Sequence, residues 1–428
     1  MKIRNVLIFP AGTEIGLEIL NALKYCKEVR LFGAGQDVLN HGQFVFSEYH
    51  VLPSVYEENW LPSLVTLCNE LSIDYIFPAY DDVIVALSRE QKRIPATVIA
   101  PESQTCEIAR SKSKTYRRLD GVVRVPRVYS NKDNALNFPL LVKPDKGQGS
   151  VGIKKVNDHN ELIRATQGVS DAIICEYLPG DEYTVDCFSD RKRGLLFAKA
   201  RSRRRIRNGI AVNTITEDIA DVQNIANRIG EVLKMRGAWF FQLKRDKSGE
   251  LALLEVAPRI AGSMAIHRMQ GVNFPLLSIF EYERLHIEIL TNQGAVELDR
   301  SLSNRYRYDI EYTSLYVDLD DTLVINGKVN PVLISLIYQA IGQDKQVILI
   351  TRHAGDLQKT LVKYKLVGLF DKIIHLRGGE KKSAYIAEAN AIFVDDSFAE
   401  RSDVSKVHGI PTFDCSMVEL LVRLAESN

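Results

Sequence analysis

The segment Leu140-Leu-Val-Lys143-Pro-Asp-Lys-Gly147-Gln-Gly149-Ser150-Val-Gly152-Ile-Lys-Lys-Val156 decides how the first part of this chain is read. Apolar residues at 139–144 and 152–156 predict two strands, and the glycines between them predict a tight loop. Glycine lets backbone N–H groups approach phosphate oxygens with no side chain in the way. Gly147, Gly149, Ser150 and Gly152 are therefore candidate phosphate contacts. Lys143 lies on the strand leading into the loop, where an ammonium can meet an α- or β-phosphate. Lys112, in the basic helix Ser111-Lys112-Ser-Lys114-Thr-Tyr, is a second such contact. The GxxxxGK[ST] pattern of P-loop NTPases is absent.

Downstream, Ala172–Tyr177 reads as a strand running into a hinge at Glu176-Tyr177-Leu178, whose backbone groups suit an adenine edge. Glu182 follows where ribose hydroxyls would lie. A hairpin is predicted from 238–244 to 250–256. With an even turn over Asp246 to Gly249, Gln242 falls opposite Leu253, and Glu255 is diagonal to it on the same face. An amide and a carboxylate oxygen then face one hard cation, and Mg²⁺ prefers few protein oxygens plus substrate phosphates. Arg259, just past the strand, is placed to neutralise a transferring phosphoryl group. The run Arg201-Ser-Arg203-Arg204-Arg205-Ile-Arg207 reads as a loop gathering phosphate and carboxylate over an acceptor site.

Upstream, residues 1–108 alternate strand and helix, which implies a parallel sheet covered by helices. Val6-Leu7-Ile8-Phe9 is a buried-type strand followed by a turn through Gly12 and Gly16, without the GxGxxG spacing of a dinucleotide site. A basic stretch at 299–312 reads as a linker. The βαβ rhythm then returns over 313–428.

That last segment places carboxylates at strand ends: Val317-Asp318-Leu-Asp320-Asp321 and Val394-Asp395-Asp396. Thr351 ends another strand, and Lys382 opens a helix. In parallel sheets such positions share one edge. Buried acid clusters are costly unless a cation neutralises them, so Mg²⁺ is expected between Asp318 and Asp395. Roughly 28 residues separate the first acidic motif, which ends at Thr322, from Thr351, too few for a sizeable cap domain.

The chain has 55 basic and 54 acidic residues and a net charge of +1, which gives no reason to expect nucleic acid or an anionic membrane as partner. None of the six cysteines forms a CxxC pair, and most sit in apolar runs, as expected of free thiols in a reducing cytoplasm. The apolar run 6–11 is too short to be a signal or a membrane span.

Two resemblances follow. Lys112, Val-Lys143-Pro, Gly147-Gln-Gly-Ser-Val-Gly-Ile, Glu176-Tyr-Leu-Pro-Gly-Asp-Glu182, Gln242 and Leu-Leu-Glu255-Val-Ala-Pro-Arg259 resemble the ATP-grasp superfamily. The closest likeness is to carboxylate–amine ligases akin to the carbamoyl-phosphate-synthase large subunit. It covers about the first 290 residues. It implies ATP held between two sheets, with Mg²⁺ (Mn²⁺ as a substitute) on Glu255 and Gln242. It also implies an acyl phosphate captured by an amine. Ala257 stands where that family usually has Asn, removing one oxygen ligand, and a single glycine loop argues against carbamoyl phosphate synthesis. Residues 313–428 resemble the haloacid dehalogenase superfamily. There Asp318 is implied as nucleophile, Asp320 as acid/base, Thr351 and Lys382 as phosphoryl contacts, with Lys381 the alternative, and Asp395 with Asp396 and the first two aspartates around Mg²⁺. The expected architecture is α/β and α+β: an N-terminal Rossmann-like pre-ATP-grasp domain (1–108), an ATP-grasp domain (109–298), a linker (299–312) and a C-terminal Rossmann-like haloacid-dehalogenase domain (313–428). Expected partners are small carboxylates and amines and a phosphorylated small molecule or glycan precursor; a homodimer is compatible. Phosphorylation without amine ligation, or nucleotide sensing alone, are the alternatives, and Lys143, Glu255 and Arg259 together disfavour the second.

Overall fold

The computed structural model describes residues 3–130, 136–147, 149, 151–167, 171–306 and 310–422. The chain divides into two compact units between Ser303 and Asn304. The first unit therefore ends inside the segment expected to be a linker. The reason is pairing: Glu297–Asp299 adds a strand beside Ile210–Glu217, and the Arg300 amide donates to the Val212 carbonyl at 2.7 Å.

The first unit opens with a five-stranded parallel sheet in the order Tyr49–Val51, Val29–Gly35, Arg4–Phe9, Tyr75–Pro78, Thr97–Val98. Val6, Leu7 and Ile8 are fully buried, as a strand covered on both faces requires. Thr13 caps the helix Glu14–Leu23, its hydroxyl accepting from Gly16 N at 3.0 Å. A Cβ on Gly16 would lie 2.5 Å from the Ala11 carbonyl oxygen, so this glycine serves tight packing.

Two antiparallel sheets follow. The smaller has the order Val128–Tyr129, Ala172–Glu176, Leu140–Pro144, Lys154–Val156. Its core is Leu140, Val142, Val156, Leu162 and Ile174, and Leu162 comes from the helix His159–Thr166. The larger sheet has seven strands, with Glu182–Asp190, Gly237–Arg245 and Leu251–Ala257 side by side. Trp239 stacks on Phe241 on its inner face, against the helix Val222–Leu233. The arginine run is part of this sheet and not a loose anion-gathering loop. Arg201 pairs with Asp186, Arg203 with Glu182, Arg204 with Glu297 and Arg205 with Asp299. Sheet pairing sets acids from distant strands beside each arginine.

The second unit is a five-stranded parallel sheet in the order Lys372–His375, Gln346–Thr351, Ser314–Val317, Ala391–Val394, Thr412–Phe413. Its flanking helices carry clear caps. Asn330 caps Pro331–Gly342, and Ser397 caps Phe398–His408, which stops at Gly409 with φ 69°. Because the strands run in one direction, their carboxyl ends collect on one edge. All described cysteines are free, four of them buried, and among the described residues no helix is long and apolar enough to cross a membrane.

Candidate functional site

A cleft of about 680 Å³ runs between the two antiparallel sheets and the first helices of the parallel sheet. Lys112, Lys143, Gly147, Gly149, Glu176, Tyr177, Leu178, Glu182, Gln242, Glu255 and Arg259 all line it. Gly152 is an exposed turn residue with φ 77° and does not line it, and Ser150 lies outside the described residues. Gly149 also takes a left-handed φ, 67°, and sits so close to the turn at Gly209 that a Cβ there would come within 2.3 Å of its Cα. The glycine loop and the large sheet thus meet over the cleft through backbone alone.

Lys143 is buried, and its Nζ donates to the Tyr116 hydroxyl at 2.8 Å. That hydroxyl donates in turn to the Leu254 carbonyl at 2.7 Å. Tyr116 therefore ties the lysine of the small sheet to the hairpin 237–257 of the large one. Nothing in the sequence spacing marks it, because it is one of several polar residues on a basic helix. Lys112 reaches the Gly147 carbonyl at 3.3 Å, and burial holds its pKa below the ordinary lysine value.

The hairpin differs from expectation in two ways that offset each other. The turn is odd: Leu243 pairs with Leu253 and Arg245 with Leu251, with Gly249 at φ 89° in the loop. An odd turn alone would put Gln242 and Glu255 on opposite faces. A bulge at Leu254 adds one residue and returns them to the same face, so Gln242 lies directly opposite Glu255 and not opposite Leu253. Thr184 pairs with Gln242 on the next strand, so Thr184, Gln242 and Glu255 form one cross-strand row. The Thr184 hydroxyl is buried without a partner among the described residues and lines the cleft. Sequence reading passed over it because a strand threonine carries no distinguishing spacing.

Three expected ligand groups are already engaged. The Glu176 carboxylate accepts from Arg124 Nη2 at 2.7 Å and from Arg127 N at 3.2 Å. Among the described residues, though, the backbones of Tyr177 and Leu178 have no hydrogen-bond partner, which leaves a polar hinge edge. Glu182 pairs with Arg203 at 2.7 Å and Lys244 at 3.5 Å. Arg259 is not a free cation: it makes a two-pronged bond to Asp81, Nε to Oδ1 at 2.5 Å and Nη2 to Oδ2 at 2.9 Å. Asp81 opens the helix Asp81–Arg89, whose positive end favours a carboxylate, and the parallel sheet carries that helix to the cleft.

Below the row, Asp186 and Arg201 form an ion pair at 2.7 Å, their side chains 0% and 1% exposed, and His267 Nε2 lies 3.4 Å from the same carboxylate. Removing one partner strands a buried charge. Asp186→Ala is expected to lower unfolding stability by about 3–5 kcal/mol. A urea midpoint unchanged from wild type would refute this.

In the second unit Asp318, Asp395 and Asp396 present oxygens within 4.8 Å of one another. Asp320 is not among them: its carboxylate turns outward to His353. Lys382 Nζ donates to Asp318 Oδ1 and to Asp395 Oδ2, each at 2.6 Å. Lys381 instead pairs with Asp403 at 2.6 Å. Lys382 starts a short 3₁₀ turn, Lys382–Tyr385, and not a full helix. Burial pushes the Asp318 carboxyl up to about 6 against the pull of Lys382, and raises Asp395 too. Burial works against the Lys382 ammonium, but the Asp318 and Asp395 charges win and hold its pKa above the ordinary lysine value. The Thr351 hydroxyl is fully buried and has no partner among the described residues. Thr322 was not singled out from sequence. Its hydroxyl lies 3.3 Å from Asp318 Oδ2, 3.2 Å from Asp396 Oδ1 and 3.0 Å from Asp396 N, bridging the two acids.

Residues 168–301 match the family described as "ATP-grasp in the biosynthetic pathway with Ter operon". A D-alanine–D-alanine ligase of Bacillus anthracis is 41% identical over 61 residues, 13% of this chain and 20% of the relative, so the match spans only a fifth of that protein. Biotin carboxylase from Campylobacter jejuni, solved as a β,γ-ATP complex, is similar in fold with TM-score 0.59 and 15% identity over 69% of this chain and 75% of that one. L-amino acid ligase from Bacillus licheniformis gives TM-score 0.55 and 17% identity over 65% and 74% of the two chains. N5-carboxyaminoimidazole synthetase from Staphylococcus aureus, complexed with ADP, gives 0.58 and 14% over 68% and 80%. The family match over 168–301 and the fold shared with these enzymes support an ATP-grasp domain in this chain.

Proposed function

We propose that the first unit is an ATP-dependent carboxylate–amine ligase. The observation that carries this is the direct cross-strand pairing of Gln242 with Glu255 on the wall of a cleft that Lys143, Lys112 and the glycine loop also line. Adenine would lie along the backbone of Tyr177 and Leu178, and the phosphates against Lys143 and Lys112. The facing amide and carboxylate oxygens suit one hard cation, with Ala257 offering none. Mg²⁺ held there would neutralise phosphate charge, and Mn²⁺ could replace it. The γ-phosphoryl group passes to a substrate carboxylate, releasing ADP. An amine then displaces phosphate from the acyl phosphate and forms an amide. ADP and phosphate release across pairs of small carboxylates and amines tests this. ADP release that needs a carboxylate but never an amine would favour phosphorylation without ligation, and nucleotide binding with no turnover would favour sensing.

For the second unit we propose a phosphohydrolase of the haloacid-dehalogenase type. Three converging carboxylates beside a buried lysine fit a divalent cation, since among the described residues Asp318 and Asp395 share the single Lys382 charge and Asp396 is not paired with it. Such an ion, held by Asp318, Asp395 and Asp396, would shield the incoming phosphoryl charge. Asp318 attacks phosphorus while Asp320 gives a proton to the leaving oxygen. Water then attacks the aspartyl phosphate, yielding its proton to Asp320 and freeing phosphate. Thr351 and Lys382 would hold the phosphoryl oxygens. The substrate would be a phosphorylated small molecule or glycan precursor, and the free thiols suit a cytoplasmic setting.

A further inference from the structure

His353 lies two residues beyond Thr351, just past the strand Gln346–Thr351. Its Nδ1 is 3.0 Å from both carboxylate oxygens of Asp320. Its Nε2 is 2.8 Å from the Thr360 hydroxyl, on the helix Leu357–Lys363. The ring is therefore gripped from both sides. Its backbone carbonyl also meets His375 Nε2 at 2.8 Å. Gly355 makes room for it, since a Cβ there would lie 3.1 Å from Nε2. Opposite an ionised carboxylate the neutral tautomer with its hydrogen on Nδ1 is favoured, so Nδ1 donates there in the neutral as in the charged ring. A neutral ring accepts the Thr360 proton at Nε2, and a charged ring donates there.

The contrast in exposure shows why this matters. The Asp320 side chain is 52% exposed and the His353 side chain 16%. A carboxylate that open to water, with no other side-chain contact among the described residues, would turn freely about its side-chain bonds. General acid catalysis requires the proton within hydrogen-bond reach of the leaving oxygen.

We infer that His353 is a positioning residue for Asp320, fixing its carboxylate so that one oxygen is held by Nδ1–H while the other delivers the proton to the departing alkoxide. This rests on the phosphohydrolase proposal for the second unit. It predicts that His353 matters in proportion to how much the leaving group needs a proton. A nitrophenolate leaves almost unaided, whereas phenolate from phenyl phosphate needs protonation more.

The full chain with Mg²⁺ is assayed on p-nitrophenyl phosphate and phenyl phosphate. His353→Ala should lower kcat on phenyl phosphate by about tenfold or more, a fraction of what a positioned acid supplies, and on p-nitrophenyl phosphate by no more than about threefold. KM should hold on both esters. His353→Asn, whose amide nitrogen can reach the Nδ1 position, should recover most of the loss. Thr360→Val removes only the far grip and should show the same leaving-group bias at smaller size, which serves if His353→Ala folds poorly. Equal losses on both esters, or none, would overturn the positioning role while leaving the phosphatase intact. Absence of hydrolysis of either ester by wild type would overturn the phosphatase proposal and this inference with it.

Discussion

Asp318→Asn is expected to remove phosphomonoester hydrolysis, by about 10³-fold or more, while the fold stays intact. An amide has nearly the shape of a carboxylate but cannot attack phosphorus. The buried setting sharpens the expectation. Asp318 is held by Lys382 Nζ at 2.6 Å and approached by Thr322 at 3.3 Å, so an amide of the same size is gripped in place without replacing the chemistry. Carboxylate-dependent ADP release should continue, because the glycine loop, Lys143 and Glu255 all belong to the other compact unit. Both activities are read on one preparation, with p-nitrophenyl phosphate for one and coupled ADP detection for the other. Loss of both in a folded protein would mean that the two activities are not separable as proposed. Undiminished hydrolysis would remove Asp318 from the nucleophile's role.

The complementary result comes from Glu255→Ala. The carboxylate faces Gln242 across the bulged hairpin and lines the cleft, so its removal takes away the one formal charge in the Thr184, Gln242, Glu255 row. ADP formation should fall about 10²-fold or more, since a lost charged ligand costs at least as much as a lost supporting contact. Phosphomonoester hydrolysis should be unchanged. Lys143→Ala should act on the same activity through nucleotide affinity. It also leaves the Tyr116 hydroxyl without its buried donor, so ATP-analogue binding is the direct measurement. Retained ADP formation in Glu255→Ala, or retained analogue affinity in Lys143→Ala, would contradict the placement of ATP in this cleft.

Much of this protein is written in local pattern. Short apolar runs ending in acids mark the strands Ser314–Val317 and Ala391–Val394, and the structure places both where the sequence reading has them. A parallel sheet has one carboxyl edge, so Asp318, Thr351 and Asp395 had to meet once those strands were recognised. The glycines around Lys143 and the alternation around Gln242 and Glu255 are likewise properties of a few consecutive residues. Gly147 and Gly149 line the cleft and Gln242 and Glu255 share one face, while Gly152 does not line it and the turn is odd with a bulge after it.

What the sequence could not decide depends on approach through space. No spacing distinguishes the even turn from an odd turn followed by a bulge at Leu254, because both leave Gln242 and Glu255 on one face. Arg259 reads as a free cation until the fold brings Asp81 to it, and Glu182 as a free carboxylate until strand pairing sets Arg203 and Lys244 beside it. Asp320 reads as one of the expected metal-ligating acids by its place in the motif, but its carboxylate faces His353, thirty-three residues on. Periodicity reports which face a side chain takes. Which charge neutralises which is set by the packing of sheets and helices distant in sequence, where a buried or half-buried ion finds a partner because leaving it alone costs more than any local preference returns.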